Sequence, residues 1–466
     1  PAAKPIAVLP LRNGGPAEDQ YLADGLTEEI IDGLSMVRGL RVRSRSSVMA
    51  VAGDRDPREL GRELDVQVVV EGSLRRGPGG LRVSTRLISV ADGFQLWARR
   101  FDRPESELLM VADEITRAIA DALLVAAPPP DRDAPGGDAL DLYLRGRHAY
   151  HRMRRGRVNE AIELFQRALA LAPANPTILS GYALARARQF FISDQGSEDA
   201  VRLGRDAAEQ AMALAPGMAE PHLALASILL HEACVPEAVR ELRRALAIRS
   251  GLAEAHEQIA RISVEVGLIE EGIRHLEAAI AIEPSMQARW ELPRALALLG
   301  RVDQAREFAI SWARSVPDAG TLFHFFAQLR LAMWTRDLPW LEKLALEGGQ
   351  MDAELNYVGP LVRTLIEGGP MPQLPRLGPM ADEGGWRQRS FFRQLRAELA
   401  AAAGAHADAL VGVEQAVEAG LIDLAWLDRC PLLAPLRDQP RFQTARAIVA
   451  ARVAPIIDVL MRDSAA

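Results

Sequence analysis

The first 125 residues alternate short apolar runs with helical stretches, and the pattern of the remainder is helical. Ile6–Leu11 is a short apolar run, which predicts a buried strand. Asp24 stands where it can cap a helix running through Met36, with Glu28 and Glu29 near the positive end of its dipole. Leu40–Ser46 alternates apolar residues with arginine, as a half-exposed strand does. Pro57 opens a short helix to Leu64. Val66–Arg76 and Leu81–Val90 flank a Gly77–Gly80 turn and form a hairpin, and Asp92-Gly93 turns the chain into Gln95–Phe101. A long helix over about Glu105–Val125 completes the order β-α-β-α-β-β-β-α, which packs helices on one or two faces of a mixed sheet.

Residues 126–137 carry three consecutive prolines and then Pro-Gly-Gly, which continue neither helix nor strand and read as a linker. Beyond it the helical runs come in pairs. Pro216, Ser250, Pro284 and Pro317 each close a run, and a small residue recurs near the start of each second helix, at Ala161, Gly204, Ala238, Gly272 and Ala305. The intervals are 34 residues from 204 to 238, 34 from 238 to 272 and 33 from 272 to 305. Small residues belong where helices cross closely, and large ones fill the gaps between hairpins. This period resembles the tetratricopeptide repeat. In the first repeat Ala149, Gly156, Ala161, Phe165, Ala168 and Pro173 occupy the small, turn, aromatic and proline positions. About five repeats cover residues 138–318, the second lengthened near Phe190–Glu198 and the fifth interrupted at Pro293. Residues 319–466 read as degenerate helical repeats closed by a proline-rich cap at Asp423–Ala445. The fold class expected is mainly α, a tetratricopeptide-type superhelix preceded by a small α/β domain over residues 1–125.

The stretches IAVLPL, YLADGLTEEIIDGLS, LRVRSRSS, ELGRELDVQVVVEGSLRR and LRVSTRLISVADGFQLWARRFDR resemble, in order, the TolB-like (FlgO-related) amino-terminal domain. The family's usual LPF is LPL here, at Leu9–Leu11. In bacteria this domain is commonly followed by tetratricopeptide repeats. The resemblance implies a pair attached carboxy-terminal to a class III adenylate cyclase, a Ser/Thr kinase or a winged-helix DNA-binding domain, none of which has motifs in this chain.

The net charge of −7 argues against nucleic-acid binding, which favours a basic face. Arginine supplies nearly all the positive charge, since Lys4 and Lys343 are the only lysines. A chain-wide bias of this kind marks composition, not a site. Cys234 and Cys430 have neither metal nor redox spacing. No apolar run approaches the ~20 residues of a membrane span, and the expected compartment is the cytoplasm, or the periplasm if an anchor precedes residue 1.

Catalytic chemistry is not expected. There is no phosphate-binding G-x-x-x-x-G-K-[ST] loop and no nucleophile elbow. His148 and His151 lack further ligands at metal spacing, and Glu28 and Glu29 suit a helix dipole better than acid–base work. Neither a cofactor nor a metal is expected. The aromatic residues Phe323, Phe325, Phe326, Trp334 and Trp340 read as core, and Arg152–Arg157 as a solvated turn.

The repeat resemblance implies that first helices line a concave groove. The inward positions are Tyr143, Tyr150 and Met153, then Leu223 and Leu230, then Glu254, Glu257 and Arg261, then Gln287, Trp290 and Arg294. Arginine, acid and aromatic groups together suit an extended peptide or a partner helix. The expectation is a non-catalytic regulatory or scaffold region with a protein partner in this groove. A small-molecule sensor at the seam between the α/β domain and the first repeat, and a homodimerisation module, are the alternatives.

Overall fold

A computed structural model describes residues 4–37, 39–51, 56–77, 80–123, 137–151, 155–192, 198–282, 286–315, 322–351 and 385–462. The chain forms two compact units, residues 1–229, 240–255 and 279–285 in the first and 230–239, 256–278 and 286–466 in the second.

The first unit begins with a mixed sheet. Its strands β1 (Lys4–Val8), β2 (Arg12–Asn13), β3 (Leu40–Val42), β4 (Val68–Gly77), β5 (Gly80–Ser89) and β6 (Gln95–Arg103) lie in the order β3-β1-β4-β5-β6, with β2 beside β4. β1 runs parallel to β3 and β4, and β4-β5-β6 is an antiparallel meander. Helix α1 (Gln20–Ser35) makes the crossover from β1 to β3 and packs with α4 (Leu108–Ala122), while α2 (Arg45–Val51) and α3 (Pro57–Glu63) pack together on the sheet. Ala7 and Val69 share one sheet face with Val48 of α2 and Leu60 of α3. α4 packs on β5 and β6.

Two local expectations need correction. The run Leu40–Ser46 is strand only as far as Val42, because the Ser44 hydroxyl accepts from the Ser47 backbone N–H at 3.1 Å and starts α2. Asp24 caps nothing, since α1 begins at Gln20. Asp24, Glu28 and Glu29 are buried in the body of that helix, beyond the first turn where a dipole acts.

Helix α5 (Gly137–His151) pairs with α6 (Arg155–Leu171), and α7 (Pro176–Ile192) with α8 (Glu198–Leu214). Helices α9 (Glu220–His231), α10 (Val235–Ile248), α11 (Ala253–Glu265) and α12 (Ile269–Ile282) follow at the repeat period. The small residues Ala161, Ala238 and Ala305 are buried. The second unit holds the pairs α13 (Met286–Leu298) with α14 (Val302–Ser315), α15 (Leu322–Thr335) with α16 (Leu338–Met351), and α17 (Trp386–Ala402) with α18 (His406–Glu418). Pro293 does not break α13, which continues to Leu298 with one ladder bond fewer. Phe325, Trp334 and Trp340 are buried. The segment after α18 turns through α19 (Leu424–Arg429) and a 3₁₀ stretch into α20 (Pro440–Arg462), burying Trp426 and Phe442. Cys430 is buried there and Cys234 is half-buried; both are free thiols. Among the described residues no helix is long and apolar enough to cross a membrane. The expected linker at 126–136, the inserted turn at 193–197, Pro284, Pro317 and the glycine-rich stretch 368–384 lie outside the described residues.

Candidate functional site: a charged cavity against helix α1

Asp24, Glu28 and Asp32 are spaced four residues apart and so share one face of α1. Like charges at this spacing repel in an isolated helix, so the row requires cations opposite. Three elements supply them. Arg45, at the start of α2, places Nη1 2.7 Å from Glu28 Oε1 and Nη2 3.4 Å from Asp24. Arg147, on α5, pairs with Glu29 and lies 3.2 Å from Asp32 and 3.6 Å from Glu28. Arg249, just after α10, reaches Glu220 at 3.0 Å and Asp32 at 3.8 Å. His148 Nδ1 stands 3.3 Å from Asp24 Oδ2. α1 and α5 meet at Gly25, where a Cβ would stand 3.0 Å from Leu144 Cδ2.

Burial sets the protonation of this row. It pushes the Glu28 carboxyl up to about 7, against the opposing pull of Arg147 and Arg45. At Asp24 burial acts the same way, but hydrogen bonds from His148 and Gln20 and the charge of Arg45 prevail and hold its pKa down. Burial opposes the charge of Arg147, and Tyr143, Glu29, Glu28 and Asp32 outweigh it, raising its pKa.

Beside these pairs lies a cavity of about 630 Å³. α1 and α2 form one wall, with Asp24, Glu28, Asp32, Arg45 and Met49; Tyr143, Arg147, Tyr150, Phe165, Ser180 and Leu223 from the repeat helices form the other. Tyr150 is held in place by Arg188 of α7, whose guanidinium lies 3.8 Å from the ring centre and 3.1 Å from Glu254. The walls offer carboxylates, guanidinium groups, phenols and hydroxyls around apolar surface, which is the composition of a binding site. Among the described residues no group of three or more His, Cys, Asp or Glu could hold a metal ion.

The residues expected to face the groove fall in two places. Tyr143, Tyr150 and Leu223 line this cavity, with Glu254 beside them. Arg261, Trp290 and Arg294 come together in the second unit, around a space of only about 20 Å³ closed by Arg387, Phe391 and Gln394 of α17. There Arg294 binds Glu291 at 3.0 Å and also Asp423, and Arg261 binds Glu265 at 3.2 Å. Glu257 is buried, and so is Leu230, whose carbonyl accepts from Trp386 Nε1 at 2.7 Å. Gln287 has no described side chain, and Met153 lies outside the described residues. Sequence reasoning missed Arg147, Arg45, Arg249 and Arg188. The signal that could have found the first three is the acidic row on α1, which a buried helix cannot carry unpaired.

No family model matches the chain. A putative adenylate cyclase 3 of Rhizobium meliloti (strain 1021) is 40% identical over 181 residues, 37% of this chain and 31% of the relative. The chain thus spans under a third of the length of that curated relative. Among solved structures, a thermophilic TPR protein of Thermus thermophilus is 20% identical over 42% of this chain and 97% of its own, with a TM-score of 0.34. TolB from Acinetobacter baumannii is 17% identical over 30% of this chain and 31% of its own, with a TM-score of 0.22. The likenesses are shallow, and the paired helices themselves carry the fold assignment.

Proposed function

We propose that the chain is a non-catalytic regulatory and scaffolding region of a bacterial signalling protein, and that its repeat helices hold a protein partner. The observation that carries this reading is the convergence of Tyr143, Tyr150 and Leu223 on one cavity. They come from the first helices of separate hairpins, α5 and α9. Tyrosine and arginine are enriched among the residues that anchor protein interfaces, and here both line a cavity wide enough to admit a partner's side chains. The paired helices support a scaffold, and the motifs resembling a TolB-like domain support a docking role for the sheet layer, whose α1 forms one wall. The relative named as an adenylate cyclase supports an attached cyclase as the output controlled by this region.

The cavity volume favours a second reading, a small-molecule sensor, because about 630 Å³ falls within the ~300–1,000 Å³ of small-molecule sites. Leu184 and Met218 line the cavity without joining its ion pairs, so each accepts a photo-crosslinking residue. Irradiation in bacterial cells is expected to join one protein at both positions, and Tyr150→Ala is expected to diminish the adduct. No protein adduct, with a bound small molecule in native mass spectrometry, would replace the scaffold by the sensor. Neither adduct nor bound molecule would overturn both.

A further inference from the structure

β6 is the outer strand of the sheet, and among the described residues it pairs with β5 alone. A strand in that position presents alternate backbone N–H and C=O groups to solvent along one side. Natural edges are blunted by brevity, a cover, a bulge or charge; β6 is nine residues long and mostly exposed, and its protection lies in its arginines and in one bulge near its start, which guard against a like-charged strand and not against an acidic one. Phe94, just before it, is 72% exposed and Leu96 is 51% exposed. Leu96 falls at the irregularity in the β5–β6 register, opposite no residue of β5.

The register fixes the chemistry beside this edge. Paired residues share a face, so the face that α2 and α3 cover at Ala7 and Val69 continues outward through three rows. These are Glu71 with Arg86 and Ala98, Ser73 with Ser84 and Arg100, and Arg75 with Arg82 and Asp102. The face is open from Ser73 outward. Arg86 is paired with Glu71, and Arg82 with Asp102 at 2.6 Å. Arg75 and Arg100 are exposed with no acid partner among the described residues, and Arg99 has only the Phe101 ring, 5.1 Å from its guanidinium carbon.

We propose that β6 is a docking edge for an extended acidic segment of a partner protein, which joins the sheet as an added strand. Backbone pairing supplies the register, Phe94 and Leu96 supply apolar contact, and Arg99 and Arg100 select carboxylates on the incoming strand. The charge decides between occupants. An antiparallel second copy centred on Arg99 or on Arg100 would set that arginine against its own counterpart, and like charges facing across strands are destabilising. The site stands apart from the α1 cavity, so failure of one leaves the other untouched.

The test uses the whole chain and two capped peptides, one of repeated Val-Glu-Glu-Val, which offers carboxylates to the opposite faces from which Arg99 and Arg100 project, and one with lysine in place of every glutamate. Hydrogen exchange of the 95–103 amides is followed by mass spectrometry. The glutamate peptide is expected to slow exchange across β6 and the lysine peptide to leave it unchanged. Arg99→Glu combined with Arg100→Glu, both at exposed positions, is expected to weaken the effect about tenfold or more, while Tyr150→Ala leaves it intact. Equal protection by both peptides, or protection by neither, would overturn the proposal. So would protection that grows with protein concentration without peptide, which would mean a second copy at the edge.

Discussion

Glu28 of α1 and Arg147 of α5 stand 3.6 Å apart between Oε2 and Nη2, with 8% and 14% of their side chains exposed. They join the sheet layer to the first repeat hairpin across 119 residues of sequence, and Arg147 binds Glu29 and Asp32 at the same time. Removing Arg147 takes the cation away from the Glu29 carboxyl, whose side chain is 1% exposed, and breaking a buried pair in this way costs about 3–5 kcal/mol. Arg147→Ala is therefore expected to lower the free energy of urea unfolding by that amount. Arg145→Ala is the control, because half of the Arg145 side chain is exposed; its loss is expected to stay below about 1 kcal/mol.

Glu28 also makes stability depend on pH. Its carboxyl releases its proton near 4.5 in the unfolded chain and near 7 in the fold, where burial disfavours the charge. Between those values the folded state binds more protons. The stabilisation is complete below about pH 4.5 and is lost as pH rises to about 7. The shift is worth about 3 kcal/mol. Asp24 lies outside the window, since its pKa is held below the usual range, but Asp423 is raised by burial and acts in the same direction. The check is thus a difference between proteins. Wild type and Glu28→Gln are unfolded in urea at pH 5 and pH 8, and the variant is expected to lose less stability on going to pH 8. Parallel losses would mean that Glu28 is charged throughout.

Sequence reading recovered what is local or periodic. The β4–β5 hairpin was legible because glycine and proline interrupt two β-rich runs, and the helix pairs because small residues mark each crossing. The start of α1 was misjudged because Asp24 has the chemistry of a cap while its place is inside the helix. Tyr143, Arg261 and Trp290 were readable from the repeat period as candidate groove positions. What lies against them was not, because it comes from far along the chain. Tyr143 shares its cavity with α1, and Trp290 lies 5.8 Å from the Phe391 ring of α17. Residues with no sequence periodicity in common meet only in the folded chain.

The second unit holds another buried charge cluster. Arg330 binds Glu398 through Nε at 2.9 Å, and Trp426 Nε1 donates to the same carboxylate at 2.7 Å. Glu398 is fully buried. Glu398→Ala is expected to cost about 3–5 kcal/mol because it strands the Arg330 guanidinium. Glu398→Ala/Arg330→Met, which removes both charges, is expected to recover much of that loss in urea unfolding. A double variant as unstable as the single one would show that packing, and not the stranded charge, sets the cost.

Gly272 tests whether the small-residue rhythm is a packing requirement. In an exposed helix, alanine in place of glycine would stabilise by about 1 kcal/mol. At Gly272, in α12, a Cβ would lie 2.5 Å from Val264 Cγ2 and 2.8 Å from the Ala260 carbonyl oxygen of α11. Backbone on one side leaves little to yield, and overpacking of this kind costs about 1–3 kcal/mol. Gly272→Ala is therefore expected to destabilise. Gly267, in the turn between the same helices, differs: its φ is +99° and a Cβ would meet nothing within 4 Å. Gly267→Ala is expected to cost about 1–2 kcal/mol through backbone conformation alone. Adding Val264→Ala separates the two causes, because it opens space beside residue 272 and none at residue 267. The cycle is expected to show coupling with Gly272→Ala and simple additivity with Gly267→Ala. A stabilising Gly272→Ala would mean that α11 and α12 cross more loosely than the contact distances require.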